Sequence, residues 1–192
     1  MAGWNWNPAI STLPNAPIGY RRLLALKQAE PDSREAYWAR LGLGDIERSR
    51  GRLDPALASY RAAHSSADRL AKADPGNAGW QRDLSVSYDR VGDVLVAQGN
   101  LPEALKSYRD GLAIRDRLAK SDPGNAGWQR DLSVSYAKVA VVFRSTGENA
   151  DALTALRQGQ AIMARMTQLS PDNAQWKQDL AWFERQIADL GR

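Results

Sequence analysis

Residues 69–88 read RLAKADPGNAGWQRDLSVSY and residues 117–136 read RLAKSDPGNAGWQRDLSVSY. The stretches lie 48 residues apart and differ only where Ala73 is answered by Ser121, so 19 of 20 positions agree. Trp80, Trp128 and Trp176 carry the same 48-residue spacing onward. A fixed period of this order marks one supersecondary unit stacked on copies of itself. Each copy covers the apolar face of its neighbour, so an array is expected rather than a globule around one centre.

One copy can be read as a pair of helices. Asp74-Pro75-Gly76 forms a turn, with proline presetting φ and glycine tolerating a positive value. Asn77 then caps a helix running to about Ala97. At about 100° per residue, Trp80, Leu84, Tyr88, Val91 and Leu95 fall on one side of it, the expected core. Arg82, Ser85, Asp89, Asp93 and Val96 fall on the other, the expected outer face. Gly99 suits the position just past a helix end, and Asn100 with Glu103 has the spacing of a capping box. A second helix follows to about Ser121, with Ala104, Leu105, Tyr108, Leu112 and Leu118 as its apolar positions. Gly111 within it is expected where two helices approach closely. Asp68–Lys72 and Asp116–Lys120 are i,i+4 pairs on an exposed face, each worth only about 0.2–0.5 kcal/mol.

The run Tyr88-x-x-Val91-Gly92-x-x-Leu95, then Gly99-Asn100-Leu101-x-Glu103-Ala104-Leu105-x-x-Tyr108-x-x-Gly111-Leu112, resembles a tetratricopeptide repeat (TPR). That family's usual period is shorter. The extra length here divides into two blocks of seven residues, each close to two helical turns, so the apolar face is preserved. The resemblance is to long-helix TPR arrays of bacterial multidomain proteins and covers roughly residues 31–190. It implies an all-α, TPR-like right-handed solenoid of antiparallel helix hairpins, with about eight helices.

The expected organisation is a leader or linker over 1–17, a truncated half-repeat helix over 18–30, then repeats over 31–74, 75–122 and 123–170. A capping helix over 171–192 closes the array. The first repeat aligns Gly44 with Gly92, Gly51 with Gly99, Ala56 with Ala104 and Tyr60 with Tyr108. Its first helix is about one turn shorter. The third repeat keeps Gly147, Ala152, Leu153 and Gly159 but replaces Gly92 by Ala140, Asp93 by Val141 and Tyr108 by Leu156. Trp4 and Trp6, in the leader, are either part of a flexible segment or dock on the open first hairpin or a partner.

Composition narrows the function. With 43% hydrophobic residues and 25% charged ones, the 192-residue chain can bury a continuous core. No apolar stretch approaches the ~20 residues of a membrane span, and the N-terminus lacks the regions of a secretory signal. A cytoplasmic location without membrane contact is the expectation. Net charge is +4, with acids and bases interspersed, so nucleic-acid binding is disfavoured. There is no cysteine and a single histidine, His64, at the helical position that Leu112 holds in the next copy, where a partly buried histidine is expected. No nucleophile–base spacing and no phosphate loop occurs. We expect no enzyme, no cofactor and no metal.

In TPR folds the outer face of the first helices lines a groove for peptides, and the resemblance implies the same here. The groove candidates are Asp45 and Arg48 in the first repeat and Arg82, Asp89, Asp93 and Val96 in the second. Arg130, Val134, Ala137, Val141 and Arg144 follow in the third. The expected function is a non-enzymatic protein–protein interaction scaffold whose peptide or protein partner carries basic and apolar groups. Two alternatives stand beside it: a self-association module of a larger bacterial signalling protein, through the N-terminal end, and a nucleic-acid-binding helical repeat.

Overall fold

The computed structural model describes residues 33–191. The expected leader and half-repeat helix, with Trp4 and Trp6, lie outside the described residues. Within them the chain is all α: α1 (Arg34–Ser49), α2 (Leu53–Ala73), α3 (Ala78–Ala97), α4 (Leu101–Ser121), α5 (Ala126–Thr146), α6 (Asn149–Leu169) and α7 (Ala174–Leu190). This is a helix-hairpin solenoid of seven described helices, and the eighth expected helix falls in 18–30.

The same local chemistry starts and stops each repeat. Asn77, Asn125 and Asn173 cap α3, α5 and α7, each side chain accepting from the backbone N–H of the tryptophan three residues on at 3.1 Å. This satisfies one of the donors that a helix start leaves open. Gly99, at φ 78°, ends α3: its N–H donates to the Val96 carbonyl at 3.0 Å, and that of Asn100 to the Leu95 carbonyl at 2.8 Å. The pair of bonds is a Schellman motif, and Gly51 and Gly147 share the positive φ. Asn100 accepts from the backbone of Glu103 at 3.4 Å, as the capping-box spacing predicts.

The chain divides into two compact units, the first ending at Pro75 and the second starting at Gly76. In the first unit α1 and α2 form a hairpin around Ala36, Tyr37, Leu41, Ala56, Tyr60 and Ala63. In the second, α3 packs on α4, α4 on α5, α5 on α6 and α6 on α7. Gly111 sits where expected: a Cβ there would lie 3.2 Å from the Tyr88 Cβ and 3.3 Å from the Ser85 carbonyl. Ser107 uses that approach to donate to the Tyr88 carbonyl at 2.9 Å.

Two expectations about the core need correction. Trp80, Trp128 and Trp176 are half-buried rather than central. They occupy the first turn of their helices, beside the inter-hairpin turn. Ser85 and Asp89, expected on the outer face, are buried. Within the second unit α3 packs on α4 and is also reached by side chains of α5. Its buried arc is therefore wider than the stripe of a surface helix.

Candidate interaction surface

In the first unit, Asp45 and Arg48 are both exposed on α1. Asp45 is tied inward by its Oδ1, which accepts from the Tyr60 hydroxyl at 2.6 Å. The other nine candidates lie in the second unit, and salt bridges organise them. Arg82 of α3 reaches Asp131 of α5 at 2.6 Å, and Arg130 of α5 reaches Asp179 of α7 at 2.7 Å. Both spans run from one first helix to the next, so the first helices are laced side by side. The corresponding residue of α7 is Gln178, which has no charge to hand on.

Asp89 does not face outward, which corrects its place among the groove residues. It is 7% exposed, and its Oδ2 lies 2.7 Å from an Nη of Arg115, itself 4% exposed. Arg115 also donates to the Ser85 Oγ at 3.2 Å, to the Ser135 Oγ at 2.8 Å and to the Asp131 carbonyl at 3.3 Å. It thereby joins α3, α4 and α5. The Asp89 Oδ1 accepts no hydrogen bond. Burial pushes the Asp89 carboxyl above its ordinary value of 3.8, with Arg115 and Lys138 opposing and Asp93 reinforcing the rise.

Asp93 is half-buried and engaged through its Oδ1. It accepts from the Tyr108 hydroxyl at 2.7 Å and from Lys138 of α5 at 2.5 Å, and the Lys138 ammonium lies 5.2 Å from the Tyr108 ring centre. The same Gly–Asp–Tyr arrangement holds Gly44, Asp45 and Tyr60 together in the first unit. A Cβ at Gly44 or Gly92 would lie 2.4 Å from the tyrosine Cε1, so each tyrosine ring rests on a bare backbone. In the third hairpin all three residues change together, to Ala140, Val141 and Leu156. The loss of charge at 141 therefore coincides with the loss of the tyrosine hydroxyl that Asp93 accepts from.

On the outer side of α5 one large apolar side chain is exposed, Val141. Val134 and Ala137 are half-buried and Val141 is 41% exposed, in a row at helical spacing. Val96 on α3 is half-buried as well. Arg144, exposed near the end of α5, bonds the side-chain oxygen of Gln186 on α7. Sequence reasoning missed Asp131, Lys138, Asp179 and Arg115. The first and third were legible as a repeated pattern, since Arg82-Asp83, Arg130-Asp131 and Gln178-Asp179 recur at the same place in each copy. Arg115 was legible too, as the equivalent positions hold Ala67 and Met163, an apolar column.

His64 is half-buried, as its helical position predicts. Among the described residues, no group of three or more His, Cys, Asp or Glu side chains could hold a metal ion. No helix among them is long and apolar enough to cross a membrane.

Comparison with known proteins now adds to this geometry. The family model described as Tetratricopeptide repeat matches residues 84–123. The chain carries a TPR-like repeat region. No match appears among curated proteins. Among solved structures, the crystal structure of BtubC (BKLC) from P. vanneervenii is similar at TM-score 0.67 and 18% identity. That match covers 79% of this chain and 57% of the other, so the chain spans under two thirds of it. The crystal structure of MamA is similar at TM-score 0.49 and 17% identity, covering 91% of this chain and 80% of that one. The BtubC likeness shows the fold, an array of helical hairpins.

Proposed function

We propose that this chain is a non-enzymatic scaffold that binds a peptide or protein segment along the outer face of its first helices. In this reading it is a long-helix TPR variant with a 48-residue period, similar to those of bacterial multidomain proteins, and it works in the cytoplasm. The observation that carries the reading is the exposed Val141, which continues the half-buried Val134 and Ala137 along α5, between helices already fixed by Arg82–Asp131 and Arg130–Asp179. A rigid frame with an exposed apolar side chain at the end of a partly covered row favours binding, because little ordering has to occur when a partner docks. Arg82, Val96, Arg130 and Arg144 border the row in the second unit, Asp93 serves as a brace, and Asp89 acts from within. Asp45 and Arg48 offer a separate, smaller patch on the first unit.

Selection from a displayed library of random peptides tests this. Peptides enriched on the wild-type chain are expected to lose binding to Val141→Asp and Val134→Asp, while far-ultraviolet circular dichroism stays unchanged. Enriched peptides indifferent to both substitutions would sink the proposal.

A further inference from the structure

Two arginines on the second unit stand apart from the salt bridges that engage the other groove cations. Arg144 bonds only the neutral amide of Gln186, and Arg185 is exposed on α7, the next residue along from Gln186. Neither has a carboxylate partner among the described residues. By the 48-residue register, Arg185 holds the place on α7 that Ala137 holds on α5, and Trp182 the place of Val134. By this register both arginines lie on the same face as the exposed Val141. The acids that suggested a basic ligand are spent: Asp89 is buried against Arg115, and Asp93 is held by Tyr108 and Lys138. Asp189, one turn beyond Arg185, is already engaged.

We infer that the α5–α7 face takes an acidic, apolar peptide, with small aliphatic side chains on Val141 and its row and carboxylates on Arg144 and Arg185. This rests on the groove reading above and reverses the charge expected for the ligand. Guanidinium is suited to the task, since its planar fork meets a carboxylate with two parallel donors. Peripheral charges of this kind act mainly through selectivity and association rate, so binding should weaken as salt rises.

The same peptide library, panned on the whole chain, decides the matter. The expected result is enrichment of peptides rich in Asp or Glu beside Val or Leu. These should lose about tenfold or more in affinity on Arg144→Glu/Arg185→Glu, and retain binding to Arg144→Lys/Arg185→Lys better than to the reversed pair. If enriched peptides are neutral or basic yet still lost on Val141→Asp, the inference is overturned and the groove survives. If acidic peptides bind equally to the reversed pair, the inference is likewise overturned. If nothing is enriched, or binding ignores Val141→Asp, both ideas fall.

Discussion

Asp89 and Arg115 are a charged pair in a column that is otherwise apolar. The equivalent positions are Leu41 and Ala67 in the first hairpin and Ala137 and Met163 in the third, all of them but Ala137 fully buried. Removing one partner strands the other charge in the interior, whereas removing both restores an ordinary core. Arg115→Met alone should therefore cost about 3–5 kcal/mol in urea unfolding. Asp89→Ala/Arg115→Met, which copies the third hairpin, should recover most of that loss. A pH dependence follows as well. Because burial raises the Asp89 carboxyl above 3.8, the folded chain holds that proton to higher pH than the unfolded chain does. The resulting stability is fully present below 3.8 and is lost as pH rises through the folded value. Wild-type stability relative to Asp89→Asn should fall across that window, and a rise would mean that Arg115 outweighs burial. Charge at 89 was visible in the sequence, and its burial was legible only by comparison with Leu41 and Ala137 at the equivalent positions, not from the helix itself. A single-helix projection treats each helix as having one covered side, and a stacked helix has more.

At the scale of the element, the helix ends were the most legible feature. Asn caps and positive-φ glycines act within a few residues, so spacing alone reveals them. The interior of the hairpin depends on partners many residues apart, such as Gly92 under Tyr108. Gly92→Ala should press its methyl group into the Tyr108 ring and cost about 1–3 kcal/mol despite the better helix propensity of alanine. Adding Tyr108→Leu, as in Ala140 with Leu156, should offset part of that penalty. A double-mutant cycle read by thermal or urea unfolding measures the coupling, and strict additivity would refute the linkage. The tryptophans were misplaced for a related reason. Their phase agrees with Leu84, but their position in the first turn limits how much chain can cover them.

At the scale of the molecule, the two compact units predict separable stability. Residues 76–192 expressed alone should keep the helical circular dichroism of their five helices and unfold in one cooperative transition, as contiguous repeats do when their neighbours remain. A molten or unfolded fragment would contradict that division. The repeat architecture itself was plain from one self-similar stretch, because stacking copies repeats every interaction at one interval. The groove was less plain, since a surface is defined by which charges the interior has already claimed.

The arginine-to-aspartate lacing between first helices bears on how such a chain can grow. A duplicated stretch of gene inserted between the second and third hairpins would bring an arginine for the copy after it and an aspartate for the copy before it, so both seams would close. The same insert placed after α7 would meet the uncharged amide of Gln178 and form no such link. Lengthening is thus favoured in the interior and discouraged at that edge.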